Sequence, residues 1–409
     1  MSHFTVKGGA PLFGEITVSG SKNAALPILF ATVATRGVSV VRRVPDIGDV
    51  RSAIAILRHL GARITRTGDT LAVDTTELVD APVPTSLTAS LRASTYLIGA
   101  CLARFSHFSL SDFGGCNFSP RPIDMHLDAS RLLGATLTDC ILTAPRGLRG
   151  AQLSFAKPSV GATINALIMS ATARGRTVIR GFAREPHVLC LIDFLLSAGA
   201  SIEVSDREIT VEGRELHGGD VTVIGDMIEA GTYLAAALMT DGSVTVRGVA
   251  RDEIASFLEL LAALGAPYSL SDSSVSVRAV TASRFVRVVA LPYPGFPTDL
   301  QPIAAPLLAR LSGGEITDRV WCSRFGYLDA LSPLGVTCSR FGSSAVVHPS
   351  RLHSGITCAP DLRGGMACIL AALAAEGESR IDHAETILRG YEDPVGKLSA
   401  LGASLILES

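Results

Sequence analysis

Lysine is nearly missing from this chain. Only Lys7, Lys22, Lys157 and Lys397 appear among 36 basic residues, the remainder being arginine. A lysine that survives such a bias is a somewhat better candidate for a specific task than any one arginine. Also missing is an apolar run of the roughly 18 residues needed to span a membrane. The start, MSHFTVKGGAPLFG, lacks the charged-then-apolar layout of a signal peptide, so a cytoplasmic protein is expected. The eight cysteines form neither a CxxC pair nor a Cys/His zinc spacing, which leaves no metal site to propose. Free thiols in a reducing compartment are the simplest reading, with seven of the eight serving as small apolar fillers. Basic clusters are absent as well. The net charge is −2 and the bases are scattered, which excludes nucleic acid as the main partner.

What the chain has in quantity is apolar residue, 47%, over a length of 409 that suits two cores rather than one. A repeat organises it. Amphipathic runs end in HLGAR, LLGAT, SAGAS, ALGAP, PLGVT and ALGAS, at Gly61, Gly134, Gly199, Gly265, Gly335 and Gly402, with 65 to 73 residues between successive glycines. Each glycine is followed by a β-prone segment, so helix, left-handed glycine and strand is the expected order. A second series interleaves with these: SKNAALPILFATVATRG, RASTYLIGACLARFS, VGATINALIMSATARG, MIEAGTYLAAALMTDG, TDLQPIAAPLLARLSG and LRGGMACILAALAAEG. These are apolar nearly all round, as helices inside a domain are. The second closes on Ser106 where glycine is the rule.

The expected fold class is α/β: two domains of three repeats each, with buried central helices. The first runs over 21–226, and the second takes 1–20 and 227–409. A hinge is expected within GGDVTVIGDMIEAG. The starts of the inner helices carry Lys22 with Asn23, Arg92, Val160 with Gly161, Asp226, Asp299 and Arg363. Acidic residues there are ordinary helix caps. Basic ones are unfavourable at the positive end of a helix unless an anion compensates. If the packing is pseudo-symmetric, these starts line a charged cleft suited to a phosphorylated carboxylate. Cys116 sits in the loop-like DFGGCNFSPRPID, behind two glycines.

The segments SGSKNAALPILFA, LRAS, GGCNFSPRPIDMHL, KPSVGAT, REP, GFPTDLQ, DLRGG and RGYE together resemble the UDP-N-acetylglucosamine 1-carboxyvinyltransferases. These are the enolpyruvyl transferases that open peptidoglycan synthesis, and the resemblance extends in order over nearly the whole chain. The sister family that makes the enolpyruvyl ether of shikimate phosphate lacks the cysteine loop. The resemblance implies two inverse α/β-barrel-like domains, with the N-terminal strand crossing into the second. It also implies phosphoenolpyruvate and a uridine sugar nucleotide as substrates, with no cofactor. Cys116 would be the acid, and the residue alkylated by fosfomycin-type epoxides. Asp299 would assist deprotonation of the acceptor hydroxyl.

Lys22, Asn23, Arg92, Arg121, Arg363 and Arg389 would hold phosphoenolpyruvate. Arg121, Pro122, Ile123, Asp124 and Met125 would grip the uridine, Lys157, Ser159, Val160 and Gly161 the diphosphate, and Asp299 and Val320 the sugar side. These types make chemical sense: addition of an alcohol across an enol phosphate needs an acid and a base, with fixed cations around the developing charge. Three positions depart from the family. Met227 stands where arginine is usual, Trp321-Cys322-Ser323 replaces Phe-Glu-Asn, and Thr386-Ile387-Leu388 replaces a run close to His-Ile-Asp. They leave a different uridine acceptor such as UMP, or a paralogue that binds without catalysis, as alternatives.

Overall fold

The computed structural model describes residues 2–110, 112–115, 121–280 and 284–408. Cys116 lies outside them. The chain divides into two compact units: one is built from Met1–Ser19 and Gly225–Ser409, the other from Gly20–Gly115 and Arg121–Ile224. Each has its own hydrophobic core. The divisions at Gly20 and Gly225 sit a residue or two before the positions expected from the repeat. The local reason is plain for the second. Asp226 caps the helix Met227–Met239, accepting from the amides of Ile228 (2.8 Å) and Glu229 (3.1 Å), so cap and helix stay in one unit.

The repeat is written into the sheets. Five of the six have four strands in one pattern: a parallel edge pair, then two antiparallel pairings. In Gln152–Ser154, Arg176–Arg180, Glu208–Glu212 and Ser201–Val204, for example, the first pair is parallel and the next two are antiparallel. The sixth sheet, His107–Ser109, Ile141–Thr143 and Thr136–Thr138, lacks the parallel edge. Three sheets fall in each unit. His3–Gly8 pairs with Gly377–Asp382 and Ser404–Glu408, so the N-terminal strand completes a sheet otherwise made of the last residues.

All six helix-ending glycines adopt positive φ, from +70° at Gly265 to +99° at Gly134. Only glycine takes that conformation without a steric penalty, which is why the motif is visible at every copy. Ser106, the exception in the inner series, takes φ +63° itself. The inner helices are buried as expected. Every residue of Met227–Met239 after the first is buried, and it packs with Gln301–Arg310 and Leu362–Ala374. In the other unit the inner helices are Lys22–Ala31, Leu97–Phe105 and Val160–Thr172. Arg92 opens a 3-10 turn, Arg92–Tyr96, which leads into Leu97–Phe105. Among the described residues no helix is long and apolar enough to cross a membrane.

Candidate active site

In the unit that holds Lys22, the first inner helix begins at that residue, and its ammonium lies 2.6 Å from Asp49 Oδ2. Both side chains are nearly buried. A protein carboxylate thus already answers Lys22, where an outside anion was expected. Asn23, beside it, is half-buried. Arg92 is different. Its Nη2 donates to the Arg121 carbonyl (2.6 Å), and the charge that bears on it among the described residues is Arg121, of like sign. Burial, then Arg121, pulls the Arg92 pKa down. A small anion would relieve both effects, and this pair is the strongest electrostatic argument for an anion site in the unit.

The two glycines before Cys116 are both fixed by close neighbours, the second of them by this pair. A methyl group at Gly114 would run into the Ala89 carbonyl. Gly115 has φ +112°, and a methyl there would lie 2.6 Å from Arg92 Cβ and 3.4 Å from Arg121 Nη1. The backbone at Gly115 is therefore laid against the aliphatic stem of Arg92 and the guanidinium of Arg121, as only glycine permits.

A buried histidine lies nearby, in the helix Asp124–Leu132. Asn165 Oδ1 accepts from the Gly99 amide (2.6 Å), which fixes its amide orientation. Its Nδ2 then donates to the Thr95 carbonyl (3.0 Å) and to His126 Nδ1 (2.7 Å). His126 Nδ1 is thus an acceptor and the ring proton sits on Nε2. A methyl at Gly161 would be 3.0 Å from that nitrogen, so the N–H faces the start of the helix Val160–Thr172, which Ser159 caps. Burial, reinforced by Arg92, lowers the His126 pKa to about 4.

The pH consequence has a definite sign. The unfolded chain binds this proton below its ordinary value of 6.5, whereas the folded protein refuses it until about 4. Stability is therefore full above that window and falls as pH drops through it, by about 3 kcal/mol in all. Urea unfolding at both ends of the window should show a smaller acid loss in His126→Gln than in wild type. Equal losses would mean that His126 does not carry the effect.

In the other unit Asp299 is the centre. Its Oδ1 accepts from Arg324 Nη1 at 2.7 Å and its Oδ2 lies 3.5 Å from Arg363 Nη2. Both arginines are almost fully buried while Asp299 retains 29% side-chain exposure, so the carboxylate is the accessible member. Asp299 stands one residue before the cap position of Gln301–Arg310, and Asp361, not Arg363, caps Leu362–Ala374. Arg363 Nε and Nη1 have no hydrogen-bond partner among the described residues. Its guanidinium lies 5.1 Å from the Tyr391 ring centroid. Burial pulls the Arg363 pKa down, but Tyr391, Asp299 and Asp226 outweigh it and the net shift is upward. A buried, permanently charged fork with two unused donors suits a phosphate or carboxylate.

Arg389, half-buried, lies in the turn after Ala384–Ile387. Pro122, Asp124 and Lys157 are exposed, whereas Ile123, Met125, Ser159, Val160 and Gly161 are half-buried. Val320 donates its amide to Asp318. Lys397, one of the scarce lysines, is consumed structurally: its ammonium reaches Ser19 Oγ (2.5 Å) and pairs with the buried Glu229. The cysteines need a correction. Cys101, Cys190 and Cys368 are buried fillers, but Cys140, Cys322 and Cys358 are exposed. Sequence reasoning also assigned no role to Asp49, Arg324, Asn165 or Asp318. Arg324 had a readable trace, a lone arginine in WCSRF; an acid in the first turn of a helix, such as Asp49, has none.

Twice-threefold α/β repetition, with buried arginines around one accessible carboxylate, suits the binding of a small anion. The family profile of EPSP synthase (3-phosphoshikimate 1-carboxyvinyltransferase) matches residues 6–398. The chain belongs to this family of carboxyvinyl transferases. UDP-N-acetylglucosamine 1-carboxyvinyltransferase 1 of Streptococcus agalactiae is 38% identical over 100% of this chain and 99% of its own. The UDP-N-acetylglucosamine 1-carboxyvinyltransferase of Halothermothrix orenii is also 38% identical, over 99% of each. Among solved structures, the enolpyruvyl transferase NikO from Streptomyces tendae superposes with TM-score 0.90 at 28% identity, covering 100% of this chain and 99% of NikO. An EPSP synthase from Acinetobacter baumannii shares the fold at TM-score 0.77 and 16% identity, with 100% of both chains covered.

Proposed function

We propose that this enzyme transfers the enolpyruvyl group of phosphoenolpyruvate to the 3′-hydroxyl of UDP-N-acetylglucosamine and releases phosphate, the first committed step of peptidoglycan synthesis. The observation that carries the reading is the 38% identity, over the full chain, to relatives bearing that activity's name. The acceptor oxygen forms a bond to C2 of phosphoenolpyruvate while C3 gains a proton. The resulting tetrahedral adduct then loses a proton from C3 and expels phosphate, which restores the double bond.

Cys116 delivers the proton to C3, and Asp299 takes the proton of the acceptor hydroxyl. Lys22, Asn23, Arg92, Arg121, Arg363 and Arg389 hold the phosphate and carboxylate of phosphoenolpyruvate as charge develops at C2. Supporting this assignment are the like-charged pair Arg92–Arg121 and the unused donors of Arg363. Residues 121–125 take the uridine, Lys157 and Ser159–Gly161 the diphosphate, and Val320 the sugar side. The reaction uses no cofactor, and with free thiols the cytoplasm is its expected place.

Product analysis tests the reading. Incubation with both substrates should convert UDP-N-acetylglucosamine to its 3′-enolpyruvyl ether, seen by mass spectrometry and located by NMR. An unmodified sugar nucleotide would refute it. A second reading, transfer to another uridine nucleotide such as UMP, is favoured by Met227, Trp321 and Leu388, which replace the family's usual residues.

A further inference from the structure

Asp318 ends the strand Gly314–Asp318 and is completely buried. A carboxylate withdrawn from water is costly unless its oxygens are well supplied with donors. Here Oδ1 accepts from the amides of Val320 (2.8 Å) and Trp321 (2.7 Å), and Oδ2 accepts from the Thr298 hydroxyl (2.6 Å). The Thr298 oxygen in turn accepts from Arg324 Nη1 (3.2 Å), the same nitrogen that donates to Asp299. One side chain thus ties the turn that carries Trp321 to the residue preceding Asp299 and to the arginine holding it. Closing the turn alone needs only a neutral acceptor. The hydrogen bonds of a carboxylate are shorter and stronger, and they hold a geometry that a neutral group would leave looser.

We propose that Asp318 is a positioning residue for the sugar of the acceptor nucleotide. It sets the Val320–Trp321 turn and, through Thr298 and Arg324, the carboxylate of Asp299 as one rigid piece. The inference rests on the carboxyvinyl transfer reading given above and deepens it. It also places Trp321, where the chain departs from its family, in the segment whose shape Asp318 controls.

Trp321 is the only tryptophan in the chain, so its fluorescence reports on this turn without a label. The test compares wild type with Asp318→Ala, Asp318→Asn and Thr298→Val. Initial rates are measured for UDP-N-acetylglucosamine and for phosphoenolpyruvate, together with acrylamide quenching of Trp321. A misplacement of the order of an ångström costs about a hundredfold, so kcat/KM for the acceptor should fall by about that factor in Asp318→Ala. The KM for phosphoenolpyruvate should stay within about twofold, since uniform binding of that substrate is untouched.

Quenching of Trp321 should rise in Asp318→Ala, and rise less in Asp318→Asn, whose carbonyl still accepts both amides. Thr298→Val should lower kcat with Trp321 quenching unchanged. Acceptor constants equal to wild type in both Asp318 variants, with only a lower melting temperature, would make Asp318 purely structural and overturn the inference alone. Absence of wild-type turnover with UDP-N-acetylglucosamine would instead overturn the reading beneath it.

Discussion

Asp299→Asn should lower kcat by about a hundredfold to ten-thousandfold, the usual contribution of a positioned base. The effect is specific to the carboxylate because the amide preserves its volume and can still accept from Arg324, 2.7 Å away. It can no longer take a proton from the acceptor hydroxyl. Some loss of stability should accompany the loss of rate, since Arg324 and Arg363 are both buried and would lose their shared counter-charge. Removing one partner of a buried pair costs about 3–5 kcal/mol, and the 29% side-chain exposure of Asp299 puts this case below that range. The two effects separate experimentally: kcat from phosphate release on protein whose folding is verified, and stability from urea unfolding. An Asn variant that kept more than about a tenth of wild-type kcat would remove Asp299 from the role of base.

Cys116 should be the residue alkylated by an epoxide phosphonate of the fosfomycin type, in the presence of the acceptor nucleotide. The reagent mimics phosphoenolpyruvate, so the cations that hold the substrate would deliver its epoxide carbon to the thiolate. The sulfur displaces the epoxide oxygen, which leaves as an alkoxide and is protonated, so the protein gains the whole mass of the reagent. Gly115, the residue before Cys116, lies against the Arg92 side chain and Arg121 Nη1. Cys116→Asp should retain turnover, because a carboxylic acid can also donate a proton, and should escape the reagent entirely. Peptide mapping decides between Cys116 and the exposed Cys140, Cys322 and Cys358. An adduct on one of those three, or a folded but inactive Cys116→Asp, would contradict the assigned role.

The repeat was readable in the sequence because its physical requirements fall on single residues. A helix ending in a left-handed turn needs glycine, and Gly61, Gly134, Gly199, Gly265, Gly335 and Gly402 all have positive φ. Inner helices such as Met227–Met239 announce their burial by lacking a polar face. The network around the candidate site was harder to see because its bonds join distant repeats. Asn165 meets Gly99, Thr95 and His126, and Arg324 meets Asp299; no local pattern marks such partners. Lys22 shows the limit of a local charge argument most clearly. Its place at a helix start suggested an awaiting anion, while Asp49 from the next helix already lies 2.6 Å away. Arg363 shows the opposite outcome, since two of its nitrogens find no partner among the described residues.

Phosphate release from phosphoenolpyruvate, followed at initial rate with UDP-N-acetylglucosamine and separately with UMP, tests the central claim most directly. Release that depends on UDP-N-acetylglucosamine, saturates with it and is absent with UMP is the predicted result. Release with UMP and none with UDP-N-acetylglucosamine would contradict it.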